Sequence, residues 1–155
     1  MKNTALSLIL VLFVSACSHK TESNVATSNV VTDTPQPEAT AQKSAAQKSA
    51  EQWLALIDAG SFAESWKTAA GLFQAAVPQD QWGHTIATVR GPLGDLVSRK
   101  LKSAHYTKSL PGAPDGEYVV LQFDTSFANK KAAVETVTPM LDADGTWKVS
   151  GYYIK

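Results

Sequence analysis

The sequence predicts an α+β domain in which about three N-terminal helices pack on one face of a C-terminal four-stranded antiparallel meander. Three observations carry this. Apolar residues before Gly91 recur at helical spacing, those after Gly94 alternate with a period of two, and only short polar turns separate the later alternating runs. Strands joined by such turns are antiparallel neighbours.

Each helix follows from its residues. Ala46, Ala50, Trp53 and Ile57 are spaced by four, three and four, which is one face of a first helix, and Gly60 ends it. Ser61-Phe-Ala-Glu64 fits a capping box, with the Ser61 hydroxyl on the third backbone amide of a second helix. Phe62, Trp66, Ala69, Ala70 and Phe73 form its apolar stripe. With almost no loop between them, these two helices make a hairpin or a tight corner. Val77-Pro78 interrupts the pattern, and Trp82, Ile86 and Val89 mark a third helix that ends at Gly91-Pro92. All three stripes read as core.

The first strand, Leu96 to Thr107, intersperses Arg99, Lys100 and Lys102 among Val97, Leu101 and Ala104. Such charges suit an edge strand that must avoid pairing with other chains. Ser109 to Gly116 is a Pro- and Gly-rich loop. Glu117 to Phe127 alternates most clearly, with Val119, Leu121, Phe123 and Phe127 on one face. Tyr118, Gln122, Asp124 and Ser126 occupy the other, wet face. Asn129-Lys130-Lys131 turns into Ala132–Leu141, where Pro139 cannot donate to a ladder and implies a bulge or an unpaired edge. Asp142-Ala-Asp-Gly145 turns again into Thr146–Lys155.

Ahead of the domain, Lys2 and the apolar run Ala5 to Ala16 read as a processing signal (residues 1–16), well short of the ~20 residues of a spanning helix. Val14-Ser15-Ala16-Cys17 resembles the lipobox of bacterial lipoproteins. That resemblance implies cleavage between Ala16 and Cys17, a diacylglycerol thioether on the Cys17 sulfur, and attachment to a membrane through it. Ser18 is not the aspartate linked to inner-membrane retention, so the periplasmic face of the outer membrane is expected. Residues 17–40 are rich in Ser, Thr and Asn, contain Pro35 and Pro37, and hold no aromatic. They read as a flexible tether, with a coil span of ~25–30 Å. A single domain fills residues 41–155. Cys17 is the sole cysteine, so no internal disulfide is available and the core must stabilise the fold.

The sequence spells out no catalytic or metal-binding motif. Fourteen basic and fourteen acidic residues balance, which argues against a nucleic-acid partner. His19, His84 and His105 share no zinc spacing. Asp142-x-Asp144-Gly145 lacks the remaining calcium ligands and reads as a hairpin turn. No Gly-x-Ser-x-Gly elbow occurs. No catalytic residue, cofactor or metal ligand is assigned.

Trp53-Leu-Ala-Leu-Ile-Asp-Ala-Gly-Ser-Phe-Ala-Glu-Ser-Trp66, Gly116 to Lys131, Glu135-Thr-Val-Thr-Pro-Met140 and Trp147-Lys-Val-Ser-Gly-Tyr-Tyr153 resemble the bacterial domain of unknown function 4019 family. The resemblance covers about Ala41 to Lys155 and implies an envelope protein without an assigned activity. The helices followed by a curved meander are also similar to the cystatin-like roll of nuclear transport factor 2, at the level of fold. The leading expectation is a lipid-anchored, non-catalytic module that contacts an envelope protein or a small apolar ligand. One alternative is a small isomerase or hydrolase with Asp124 as acid or base in a roll pocket, helped by Tyr106, Tyr118 or Tyr152. Alternation places Asp124 and Tyr118 on the wet face instead. Another alternative is a structural envelope protein that contacts its partner through Asn129-Lys130-Lys131.

Overall fold

A computed structural model describes residues 37–155. Helix α1 (Pro37–Asp58) precedes two short helices, α2 (Phe62–Lys67) and α3 (Gly71–Ala76), then α4 (Gln79–Arg90) and one 3-10 turn, Gly91–Leu93. Strands β1 (Leu96–Thr107), β2 (Tyr118–Phe127), β3 (Ala133–Leu141) and β4 (Trp147–Ile154) follow. They form one sheet in the order β1-β2-β3-β4, each neighbouring pair antiparallel. This is the expected α+β arrangement. The signal, Cys17, His19 and the tether up to residue 36 lie outside the described residues.

Two details of the helical half differ from expectation. α1 starts at Pro37, inside the expected tether, where a residue without an N–H suits the first turn. The second stripe is divided into α2 and α3. Ala70 takes an extended conformation, and its amide donates to the Val149 carbonyl of β4 at 2.9 Å, which draws the chain out of the helix. Gln74 Nε2 then reaches the carbonyls of Trp66, Lys67 and Ala69 at 2.9–3.1 Å, satisfying groups the break leaves open. The capping box does not form: Ser61 makes no side-chain cap bond.

Leu54, Ile57 and Ile86 of the helices meet Val119, Leu121, Phe123, Val137 and Val149 of the sheet, all of them buried. Each such side chain contributes ~1.5–3 kcal/mol through the apolar surface removed from water. Trp82 sits 5.0 Å edge-on from Phe73 and 5.8 Å from Trp53. Their indoles are satisfied at one buried serine, Trp53 Nε1 donating to the Ser65 carbonyl at 2.7 Å and Trp82 Nε1 to Ser65 Oγ at 3.0 Å.

Three bulges decide which strand residues face the helices. In β1, register shifts at Val97 and at Lys102 each insert a residue that has no partner on β2. In β4, Thr138 pairs with Gly151 and Pro139 with Val149, so Ser150 is the extra residue. The irregularity expected at Pro139 therefore sits opposite it. Each insertion reverses the in–out alternation. As a result Arg99, which aligns with inward-facing Thr125, and Tyr152, which aligns with inward-facing Val137, both point under the helices. Tyr118, expected on the wet face, is 1% exposed because the loop before it folds over its ring and its hydroxyl donates to the Pro114 carbonyl at 2.8 Å.

The β3–β4 hairpin is closed by charge. Asp142 accepts from the amides of Ala143 and Gly71, tying the turn to the start of α3. Asp144 accepts from Lys148 Nζ at 2.6 Å and from the Thr146 amide and hydroxyl. Those bonds, the Lys148 one foremost, lower the Asp144 carboxyl to about 2. A carboxyl depressed in the folded state contributes stability that is present above its ordinary value near ~3.9 and lost as pH falls through the folded value. Acid titration is expected to weaken this hairpin between about pH 4 and pH 2. Asp144→Asn should flatten that part of a stability-versus-pH profile measured by urea unfolding, leaving the neutral range in place.

Candidate functional site

Glu135 is fully buried at an inward position of β3, between Ala133 and Val137. Isolated there, its charge would cost several kcal/mol, so its surroundings have to supply partners. Four donors do so. Oε2 accepts from Arg99 Nε at 2.6 Å and from the Thr125 hydroxyl at 2.7 Å, while Oε1 accepts from Arg99 Nη2 at 3.1 Å and from the Tyr152 hydroxyl.

Arg99 is forked between two carboxylates. Its Nη1 and Nη2 also donate to Asp58 Oδ2 and Oδ1 at 2.7 and 3.0 Å. Arg90 closes the ring: Nη2 donates to Asp58 Oδ1 at 2.7 Å, and Nη1 lies 3.5 Å from Glu135 Oε1 without a hydrogen bond. The Arg90 guanidinium carbon stands 4.3 Å from the centre of the buried Phe127 ring, a cation–π contact. Two guanidinium groups therefore face two carboxylates.

The placement follows from the ends of the elements. Asp58 is the last residue of α1 and Arg90 the last of α4, while Arg99, Thr125, Glu135 and Tyr152 come one from each strand. A cation at the end of α4 is favoured by the helix dipole; a carboxylate at the end of α1 is not, and the two arginines offset that. One network thus joins two helix ends to all four strands.

Its chemistry is that of a closed set. Burial alone would lower the Arg99 guanidinium, but its hydrogen bonds and charge contacts with Asp58 and Glu135 hold it above its ordinary value. Burial, and then the Glu135 charge and hydrogen bond, push the Tyr152 phenol well above its own. Tyr152 therefore keeps its proton and serves as a donor. With both oxygens of Glu135 committed to four donors, the carboxylate has no lone pair aimed at an open space in which to take a substrate proton.

One depression borders this frame under the helices, and two others lie elsewhere on the domain. A cleft of about 340 Å³ opens beside Asp58 and Arg90, with Phe62, Asp95 and Leu96 on its walls. A second, about 390 Å³, runs between α1 and β4 past Trp53 and Trp147. The third, about 520 Å³, lies on the opposite face of the sheet over Ser98, Asp124 and Ser126. Among the described residues, no group of three or more His, Cys, Asp or Glu could hold a metal ion. No helix among them is long and apolar enough to cross a membrane.

The residues singled out from sequence are dispersed. Asp124 lies on the sheet face away from the helices, with its side chain 59% exposed and paired to Lys102 at 3.0 Å. The reading that placed Asp124 as acid or base in a pocket under the helices is therefore wrong, because strict alternation along β2 turns it outward. Tyr106 donates to Glu117, Tyr118 is spent on Pro114, and only Tyr152 enters the buried network. His84 and His105 are exposed. Asn129 is exposed, and its Nδ2 donates to the Pro92 carbonyl at 3.2 Å. Asp142 and Asp144 form the hairpin turn, as expected.

Removing the Glu135 carboxylate is expected to be costly. Glu135→Ala leaves Arg99 buried beside only one carboxylate and should lower unfolding free energy by ~3–5 kcal/mol. Tyr152→Phe removes one donor and should cost ~1–2 kcal/mol. Urea denaturation of the two variants checks the order; equal and small losses would show that the network carries no stability.

No curated protein and no solved structure matches the chain. The family described as protein of unknown function (DUF4019) matches residues 49–152, a span that contains every member of the Asp58–Arg90–Arg99–Glu135–Tyr152 network. The chain belongs to that family.

Proposed function

We propose that this is a lipid-anchored bacterial envelope protein whose one folded domain is a non-catalytic module for an envelope partner or a small ligand. The observation that carries the non-catalytic part is the saturation of Glu135. The most buried carboxylate of the domain is occupied by Arg99, Thr125 and Tyr152. A fixed network in which both Glu135 oxygens are fully paired suits a rigid scaffold better than a group that must gain and lose a proton in each turnover.

The anchor rests on sequence. Val14-Ser15-Ala16-Cys17 directly behind the apolar run supports processing at Cys17 and acylation of its sulfur. Two or three chains at ~0.8 kcal/mol per buried methylene would hold the protein on the membrane without a spanning helix. Ser18 supports the periplasmic face of the outer membrane.

Cys17→Ser in the native host tests the anchor. The expected outcome is a shift of the protein from the membrane to the soluble fraction, with loss of metabolic labelling by a fatty-acid analogue. Full retention in the membrane would remove the assignment.

A further inference from the structure

The face of the sheet turned away from the helices carries an unbalanced charge. Lys100 and Asp124 are register partners on β1 and β2, Lys102 holds the Asp124 carboxylate at 3.0 Å, and Lys131 and Lys155 border the same depression. Counting side chains, this face thus carries four lysines and one carboxylate that is already paired, and two of the lysines line the depression. Among the described residues neither Lys131 nor Lys155 forms an ion pair.

Hydroxyl donors complete the set. Ser98 and Ser126 are direct register partners, because the Val97 bulge brings Ser98 opposite Ser126 on the outward side. Both line the depression, with Ala132 and Val134 as its apolar floor. At about 520 Å³ it has the size of a small-ligand site. Among the described residues, neither serine hydroxyl donates to a protein partner on that face.

We propose that this depression binds a phosphate monoester, with the ammonium groups of Lys131 and Lys155 facing the dianion and the Ser98 and Ser126 hydroxyls donating to its oxygens. A phosphate monoester carries a charge near −2 at neutral pH, which two otherwise unpaired ammonium groups match. Its three terminal oxygens take the two hydroxyl donors as well as the cations. A single carboxylate supplies half the charge and fewer acceptors. The organic part of the ester would lie on Ala132 and Val134. This gives the ligand-binding reading above a chemical class and rests on that reading, but it does not depend on the lipid anchor.

The test is a titration of the full chain, carrying Cys17→Ser to keep it in solution, with glycerol 3-phosphate. Backbone amide shifts are read by NMR at constant ionic strength. Saturable shifts centred on Ser98, Ser126, Lys131 and Lys155 are expected, together with a loss of affinity of about tenfold or more in the Lys131→Ala/Lys155→Ala double variant. Both lysines are exposed, so the variant should keep the wild-type spectrum elsewhere. Non-saturating shifts would overturn the site. So would an unchanged affinity in the double variant, or acetate binding as tightly as glycerol 3-phosphate. Binding to phosphatidylglycerol vesicles over phosphatidylcholine vesicles, with none to glycerol 3-phosphate, would also overturn it and identify a membrane-facing basic patch instead. Fractionation of the wild-type protein reports on the anchor separately, so failure here and failure of the envelope assignment are distinguishable.

Discussion

A carboxylate buried without exposure needs each of its oxygens occupied, and the Glu135 side chain sets that requirement for the whole domain. The donors come from β1, β2 and β4, and the second carboxylate and second guanidinium that balance the charge come from the ends of α1 and α4. An apolar core alone would let the helices settle on the sheet in several ways of similar energy. Forked hydrogen bonds from Arg99 to both Asp58 and Glu135 have one geometry, so they fix where α1 ends relative to β1 and β3. The bulges at Val97 and Ser150 serve the same end by turning Arg99 and Tyr152 inward.

The functional consequence is a division between two faces. Under the helices, charge is neutralised internally and the phenol of Tyr152 is held in its protonated form. On the other face the lysines outnumber the carboxylates around an open depression, and no described helix covers it. Under the proposed reading, recognition belongs to the outer face and rigidity to the inner one.

Much of the fold was legible in the residues. Helical spacing through Ala46, Ala50, Trp53 and Ile57, and alternation through Val119, Leu121 and Phe123, gave the element types and the antiparallel order. The inner network was not read from sequence, for different reasons at different residues. Arg99 sits among Lys100 and Lys102 and looks like one more edge charge; only the Val97 bulge, a feature of register, turns it inward. Tyr152 is hidden in the same way by the extra residue at Ser150. Glu135 did leave a trace: it shares the parity of Ala133 and Val137, and a carboxylate at an inward position of a central strand demands a cation. Asp58 and Arg90 fall at helix ends, where polar residues are ordinary and carry no such warning. The division of the second stripe into α2 and α3 depends on the bond from Ala70 to Val149, some eighty residues away, and local spacing cannot report it.

Arg99 and Glu135 act as one unit, Glu135 buried and Arg99 largely so, that locks the helices to the sheet. A double-mutant cycle on Arg99→Ala and Glu135→Ala, followed by urea unfolding, tests it most directly. If the claim holds, the two single losses will not add, and the double variant will recover ~2 kcal/mol or more of their sum, because neither charge is left stranded. Additivity within ~0.5 kcal/mol would show two independent side chains and contradict the account.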